Sequence, residues 1–275
     1  MEPIANQNAL VHGFQVAYGI YGDNNNHNGR VRLGEKAEPV VLIHGTPSSS
    51  MIWRNVVPGL VAAGFEVYVY DLLGYGVSER PLGRAVDTSM TGQVSVLEGL
   101  LSLWGFRLEN GHDDGDDDNS NKTTAKPVHI VAHDIGGGIA QRFAVSDPAR
   151  VRSLTLVDTV SFDSYPSART KQQMEEKGLE SLIKAPDEEH REHFRAWLLS
   201  AVCDKDKFRT PASGSSSSSA LDTYLEYISG PIGQASLFEH QVRHYDPKHT
   251  MEVADRLHAL GARVPVQIIW GSEDS

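Results

Sequence analysis

The sequence has very little cysteine and no long apolar run, and each lack excludes a class of protein. Cys203 is the only cysteine in 275 residues, which excludes an internal disulfide and favours a cytoplasmic location. We expect its small side chain to be packed. No run of 18 apolar residues and no charged-then-apolar leader occurs, so we expect neither membrane insertion nor secretion.

The sequence also lacks a basic stripe, metal-binding spacings and cofactor motifs. The net charge is −11, so nucleic acid is not an expected partner. His240 and His244 lie four residues apart, but Gln241 stands where a zinc motif needs glutamate. We therefore expect no metal and no cofactor. The acidic segment 109–126 and the serine tract 213–219 are predicted to be solvated loops.

Short apolar segments alternate with helical periodicity along most of the chain, which predicts a mostly parallel sheet with helices on both faces. This alternation of strand and helix patterns is absent over residues 160–247, where amphipathic helical runs cover residues 188–202 and 221–228. We predict a core of residues 1–159 and 248–275 with a helical lid at 160–247. The predicted strands cover residues 14–18, 40–43, 65–70, 127–132, 151–157 and 264–270; the predicted helices cover 51–63, 88–104 and 139–145.

One segment places a carboxylate where a nucleophile normally sits. Ala132-His133-Asp134-Ile135-Gly136 joins a predicted strand to a predicted helix, and small residues flank the central position as in a nucleophile elbow. The helix N-terminus favours a negative charge at Asp134. On this segment alone, an ordinary helix-capping role for Asp134 explains the pattern about equally well.

Four motifs, taken together, resemble the α/β-hydrolase fold: HGTP (44–47), DLLGYGVSERP (71–81), AHDIGG (132–137) and WGSEDS (270–275). An aspartate in the nucleophile position resembles the epoxide hydrolase and haloalkane dehalogenase branch. A carboxylate is a poor acylating group, but it displaces a leaving group at saturated carbon and becomes an alkyl ester.

The resemblance implies roles for further residues. The amides of Thr46 and Ile135 would form an oxyanion hole, with His44 supporting the first loop and Asp71 stabilising a turn. Asp274 would orient the catalytic base, and we favour it over Asp158. Lid tyrosines would donate a proton to the epoxide oxygen; the candidates are Tyr165, Tyr224, Tyr227 and Tyr245.

The catalytic base of the resembled family is missing from its expected place. In that family a histidine follows the acid, but only Ser275 follows Asp274. The open explanations are a truncated, C-terminally incomplete chain, a natural pseudoenzyme, or a base from elsewhere, and we rank truncation first. His240, His244 and His249 are expected to be surface or packing residues. Without the base, alkylation of Asp134 should proceed while hydrolysis of the ester stalls.

The sequence differs at two positions from the epoxide hydrolase and haloalkane dehalogenase branch, and these differences favour one candidate activity over another. Ile135 replaces the tryptophan that usually follows the nucleophile, and Thr46 replaces an asparagine or aromatic residue. The lost indole N–H removes a halide donor, so epoxide opening ranks above dehalogenation. The expected partner is a small apolar electrophile. The alternatives are a haloalkane dehalogenase-like hydrolase, a carbonyl-directed hydrolase or lyase with Asp134 as base, and a non-catalytic ligand-binding module. The sequence indicates no oligomeric state.

Overall fold

A computed structural model of the chain describes residues 3–22, 37–81, 86–106, 126–176, 178–211 and 218–272. The predicted roles of the acidic segment, of most of the serine tract and of Asp274 concern residues outside these ranges. Among the described residues, no helix is long and apolar enough to cross a membrane.

A seven-stranded sheet forms the centre of the fold, with strand order β1-β2-β4-β3-β5-β6-β7. The first two strands are antiparallel, β2 pairs antiparallel with β4, and the remaining pairs are parallel. The strands are β1 Gln7–Val11, β2 Phe14–Tyr21, β3 Glu38–Ile43, β4 Phe65–Tyr70, β5 Val128–Asp134, β6 Val151–Thr159 and β7 Val266–Ile269. Six of the seven were predicted, and β1 was missed.

Ten α-helices are described. They are α1 Val57–Ala62, α2 Met90–Leu103, α3 Ile135–Ser146, α4 Ala168–Glu175, α5 Gly178–Lys184, α6 Asp187–Ser200, α7 Lys205–Arg209, α8 Ala220–Ile228, α9 Gly230–His240 and α10 Lys248–Leu260. Seven of them, α4 to α10, lie between β6 and β7 along the chain.

The side chains of β3 alternate between two apolar clusters, one on each face of the sheet. Val41 and Ile43 join the cluster that includes α2 and α3, whereas Val40 and Leu42 pack with Trp53 and α1. Strand period two explains the alternation, and burial on both faces explains why the strand is continuously apolar. The prediction of a mostly parallel sheet with helices is confirmed.

Two predicted helices begin elsewhere than expected. Residues 51–63 divide into a 3₁₀ turn, Ser50–Trp53, and α1, because Pro58 fits only the first turn of a helix. The helix α2 begins at Met90, and its capping side chain is Ser89, which accepts from the Gly92 amide at 3.4 Å.

One burial prediction is wrong. Cys203 is exposed rather than packed, since it lies in the turn between α6 and α7. The strand β7 is also open, with Ile268 67% exposed and Trp270 53% exposed. Among the described residues β7 pairs only with β6, so its apolar side chains are less covered than those of the inner strands.

The helices α4 to α9 form a unit that we call the helical insert, residues 160–247. It has its own apolar cluster, separate from those that pack on the sheet. The cluster contains Ile183, Phe194, Leu198, Leu199, Ala220, Leu221, Tyr224, Leu225, Ile228, Leu237 and Val242. The predicted helical runs 188–202 and 221–228 correspond to α6 and α8. That the insert acts as a lid stays a prediction.

Phe143 provides a test of the core that supports α3. Its ring is fully buried, and the Arg150 guanidinium lies 5.2 Å from the ring centroid. We expect Phe143→Ala to lower the free energy of unfolding by about 3–5 kcal/mol, because it leaves a cavity under α3. The matched control Leu103→Ala, at a side chain 53% exposed, should cost less than about 1 kcal/mol. Urea unfolding followed by circular dichroism measures both; equal losses would contradict this packing.

Candidate active site

The turn at the end of β5 holds Asp134 in an uncommon backbone conformation. Asp134 has φ 52° and ψ −125°, and α3 begins at the next residue, Ile135. A non-glycine residue in such a region costs on the order of 1–3 kcal/mol, and such residues cluster at functional sites. The Asp134 side chain makes no capping hydrogen bond to α3, so the alternative of an ordinary helix cap is wrong.

A loop after β3 reaches the Asp134 carboxylate. The Thr46 N–H donates to Asp134 Oδ2 at 2.7 Å, the short distance expected for a charge-assisted bond. Gly45 permits the approach, because a Cβ atom there would lie 2.5 Å from Asp134 Cβ and Oδ2. Ile135 is the first residue of α3, so its N–H is one of the amides without an acceptor inside the helix. The structure thus brings together Asp134, Thr46 and Ile135.

His44 holds the loop after β3 in place through hydrogen bonds, as predicted. Its ring is fully buried; Nε2 accepts from the Leu72 N–H at 2.9 Å, and Nδ1 lies 3.0 Å from the Gly45 carbonyl oxygen. Because an amide can only donate, Nε2 is the acceptor and Nδ1 carries the proton that Gly45 O accepts. Burial lowers the pKa of His44, which keeps the ring neutral.

Asp71 fixes the neighbouring loop after β4 and is structural, as predicted. Its Oδ1 accepts from the Ser50 N–H at 2.7 Å and its Oδ2 from the Val77 N–H at 2.8 Å. The carboxylate is 1% exposed. Both of its oxygens therefore serve to hold the backbone of two loops beside the site.

Three tyrosines lie in the electrostatic field of Asp134. Burial raises the pKa values of Tyr75, Tyr165 and Tyr245, and the negative charge of Asp134 raises each of them further. The rings of Tyr165 and Tyr245 meet edge to face with centroids 5.7 Å apart, while the Tyr75 hydroxyl lies 3.2 Å from Thr46 Oγ1. All three phenols are therefore protonated at neutral pH.

Tyr224 and Tyr227, the other two candidate proton donors, interact with residues other than Asp134. Burial raises the pKa of each to about 12, and their electrostatic neighbours include Asp71. Tyr224 hydrogen bonds with Arg54 and packs on Phe208 with ring centroids 5.7 Å apart. Tyr75, which sequence reasoning missed, follows β4 in the DLLGYG motif, and its place at the carboxyl end of a parallel strand was the available signal.

Asp158 is the last but one residue of β6 and has a positive φ of 39°. Its Oδ1 accepts from the Gly271 N–H at 2.7 Å, which ties the end of β6 to the segment after β7. One residue further, Thr159 Oγ1 donates to the Asp134 carbonyl oxygen at 3.1 Å. The choice between Asp158 and Asp274 as the orienting acid stays a prediction, because Asp274 lies outside the described residues.

The histidines of the insert and of α10 pack against the core, as expected. His240 and His249 are each 5% exposed. Thr88 Oγ1 lies 3.1 Å from His240 Nδ1 and 3.0 Å from His244 Nε2, and Thr91 Oγ1 lies 3.1 Å from His249 Nδ1.

A cavity of about 40 Å³ opens beside the Asp134 loop. Thr46 and Pro47 form its core side, and Tyr245 joins them. The rest of its wall comes from the helical insert: Thr170, His193, Phe194, Trp197, Leu237 and Val242. The space is small and mostly apolar, and it adjoins the residue whose amide holds the carboxylate.

Comparisons with known proteins agree with this architecture. Residues 38–275 match the family described as alpha/beta hydrolase fold. A solved alpha/beta hydrolase fold protein from Burkholderia ambifaria superposes with a TM-score of 0.68 at 26% identity, covering 98% of this chain and 81% of that one.

Two curated relatives resemble part of the chain. A cis-3-alkyl-4-alkyloxetan-2-one decarboxylase of Shewanella oneidensis is 30% identical over 127 residues, which cover 46% of this chain and 34% of the relative. A soluble epoxide hydrolase of a Corynebacterium species is 29% identical over 168 residues, covering 59% of this chain and 46% of the relative. Haloalkane dehalogenases are also among the matches. The chain thus spans less than half the length of the two curated relatives described.

Gly45 provides a test of the loop geometry. A Cβ at Gly45 must displace the Asp134 carboxylate, so we expect Gly45→Ala to break its bond with the Thr46 N–H. In nuclear magnetic resonance spectra, the Thr46 amide proton should move upfield in Gly45→Ala and in Asp134→Asn. The control Gly59→Ala meets no atom within 4 Å and should leave this resonance in place. An unchanged Thr46 resonance in Gly45→Ala would contradict the geometry.

Proposed function

The chain belongs to the alpha/beta hydrolase fold family, and on that premise we propose that it opens an epoxide through a covalent ester on Asp134. One observation carries the proposal: the Asp134 carboxylate is held by the Thr46 amide within the field of two paired insert tyrosines. A positioned carboxylate and neutral phenols are the two groups that epoxide opening needs.

Ring opening is the first step. The proposed attacking oxygen is Asp134 Oδ1, which lets Oδ2 keep its bond with the Thr46 N–H. A bond forms between Oδ1 and a ring carbon while the bond from that carbon to the ring oxygen breaks. The ring oxygen takes the electron pair and receives a proton from Tyr165 or Tyr245, whose raised pKa values keep that proton available at neutral pH. The product is a hydroxyalkyl ester of Asp134.

Hydrolysis of the ester is the second step. Water adds to the Asp134 carboxyl carbon, and negative charge develops on Oδ2, where the Thr46 amide already donates. The Ile135 N–H is the proposed second donor, since it opens α3 at the same turn. A base must deprotonate the water, and a histidine oriented by Asp274 or Asp158 remains the proposed one. Alkylation of Asp134 does not require that base.

The cavity supports a small substrate with an apolar substituent. Phe194, Trp197, Leu237 and Val242 form the apolar part of its wall, and Thr46, Thr170, His193 and Tyr245 supply the polar groups. We therefore propose small apolar epoxides as substrates, with the helical insert acting as a lid that moves to admit them and then encloses them.

Two other leaving groups fit the same displacement. A haloalkane dehalogenase-like reaction would use Asp134 equally but needs no phenol proton, and Ile135 supplies no indole N–H to halide. The similarity to an oxetan-2-one decarboxylase favours a second strained oxygen ring as a candidate substrate. Release of halide or of carbon dioxide would identify these activities.

Asp134 provides the first functional test. We expect incubation with styrene oxide to add the mass of one epoxide to the wild-type chain, because alkylation does not require the base that hydrolysis of the ester needs. Asp134→Asn should acquire no adduct, whereas Asp163→Asn, which changes an exposed aspartate of the insert, should react like wild type. Intact-protein mass spectrometry measures this. An adduct of equal yield on Asp134→Asn would refute the proposed nucleophile.

The tyrosines provide the second functional test. We expect Tyr165→Phe and Tyr245→Phe each to slow alkylation by styrene oxide at least about tenfold, because the ring oxygen loses a proton donor. Alkylation by an alkyl iodide, whose leaving group needs no proton, should change less than about twofold on the same reasoning. Tyr224→Phe is the matched control and should leave both rates unchanged. A selective loss in Tyr224→Phe would instead assign the proton donor to α8.

A further inference from the structure

One buried hydroxyl of the core joins two histidines of the helical insert. Thr88, 3% exposed, precedes α2, and its Oγ1 hydrogen bonds with His240 Nδ1 and with His244 Nε2 at 3.1 and 3.0 Å. His240 ends α9, and His244 ends the short 3₁₀ turn Val242–His244 that follows it. The end of the insert is therefore fastened to the core at Thr88.

The hydrogen bonds of Thr88 Oγ1 with His240 and His244 can all be satisfied when both imidazole rings are neutral. A hydroxyl donates one proton and accepts through two lone pairs, so Thr88 donates to one ring nitrogen and accepts from the N–H of the other. If both rings were protonated, the Thr88 hydroxyl proton would lose its acceptor. Two cationic rings would also face the same buried oxygen, which repels them from each other.

The His240 ring packs directly against the loop after β4. Gly74 has φ +89°, and a Cβ there would lie 2.5 Å from His240 Cγ. In the same place Ser236 Oγ donates to the Gly74 carbonyl oxygen at 2.8 Å. The end of α9 is thus in van der Waals and hydrogen-bond contact with the core. A small displacement of the His240 ring would therefore shift the end of α9 relative to the core.

This contact continues into the tyrosine pair at Asp134. The His244 carbonyl oxygen accepts from the Tyr165 hydroxyl at 3.3 Å. Tyr245 is the next residue along the chain, and its ring meets that of Tyr165. Moving the backbone at His244 therefore shifts both phenols relative to the Asp134 carboxylate.

We infer that Thr88, His240 and His244 form a latch that positions Tyr165 and Tyr245 at Asp134, and that protonation of the two rings releases it. The three are positioning residues, because they act through the tyrosines. The consequence for catalysis rests on the proposed epoxide opening, whereas the latch itself is a property of the fold.

The surroundings of the two rings set the direction of the pH dependence. Burial lowers the pKa of His240 to about 4 and also lowers that of His244. The folded pKa values lie below the unfolded value of 6.5, so the latch is intact above pH 6.5 and is lost as the pH falls towards about 4. The charged groups that face the rings are Arg80, Asp87, Glu239, Arg243 and Lys248, and Arg243 is paired with Glu239 at 2.5 Å. His249 faces the same carboxylate, Asp87, from α10.

The test uses three variants of the whole chain. Thr88→Val keeps the shape and removes the hydroxyl, and Thr88→Ser keeps the hydroxyl. Thr91→Val is the matched control, because it removes a similar threonine–histidine bond, to His249 on α10, which carries no tyrosine of the pair. Far-ultraviolet circular dichroism verifies that each variant is folded.

The first measurement does not depend on activity. The near-ultraviolet circular dichroism signal of Tyr165 and Tyr245 is isolated by subtracting the spectrum of the double Tyr165→Phe/Tyr245→Phe variant. We expect wild type, Thr88→Ser and Thr91→Val to show this signal at pH 7 and to lose it between pH 6 and about 4. Thr88→Val should lack it at pH 7 already. An unchanged signal in folded Thr88→Val overturns the latch.

The second measurement is the rate of alkylation by styrene oxide and by an alkyl iodide. We expect Thr88→Val at pH 7 to lose about tenfold with the epoxide and less than about twofold with the iodide, and Thr88→Ser to restore the epoxide rate. If wild type forms no adduct, the proposed function fails and the tyrosine signal alone decides the latch. If wild type reacts and Thr88→Val reacts as fast with the epoxide, the positioning role is overturned and the proposed function stands.

Discussion

The bond between the Thr46 amide and the Asp134 carboxylate is the interaction on which the rest of the site depends. It joins the loop after β3 to the turn after β5 and fixes one carboxylate oxygen at 2.7 Å. Three features make this bond possible. Gly45 has no Cβ to clash with the carboxylate, His44 hydrogen bonds to the backbone beside the loop, and the unusual backbone conformation of Asp134 directs its side chain towards Thr46. Such strain persists only where the surroundings hold the residue in place.

The site has two layers that are built differently. The core layer is made by backbone groups at the carboxyl ends of parallel strands, where buried strands leave little freedom of position. The upper layer comes from the helical insert, whose apolar cluster is separate from that of the sheet. Two of its tyrosines, Tyr165 and Tyr245, also pack against the apolar cluster of the sheet, and Thr88 and Gly74 contact the end of the insert. The proposed nucleophile and the proposed proton donors therefore belong to different parts of the fold.

Much of the core could be predicted from sequence, because apolar strands and a Gly-rich turn leave local patterns. The strands β2 to β7 and the helix α3 follow from such patterns, whereas the roles of His44 and Asp71 were implied by the family resemblance. The short strand β1, three of whose five residues are exposed, does not stand out, and Pro58 restricts α1 to a later start than predicted. Tyr224 and Tyr227 share a helical face, but only tertiary packing shows that Tyr165, Tyr245 and Tyr75 are the ones in the field of Asp134.

The most direct measurement is a crystal structure of the chain after reaction with styrene oxide. The account predicts continuous electron density from Asp134 Oδ1 to a carbon of the former epoxide ring, with Oδ2 still accepting from the Thr46 N–H. The new hydroxyl should lie within hydrogen-bond distance of Tyr165 or Tyr245. Density joining the epoxide to another side chain, or an unreacted epoxide beside an intact Asp134, would contradict the account.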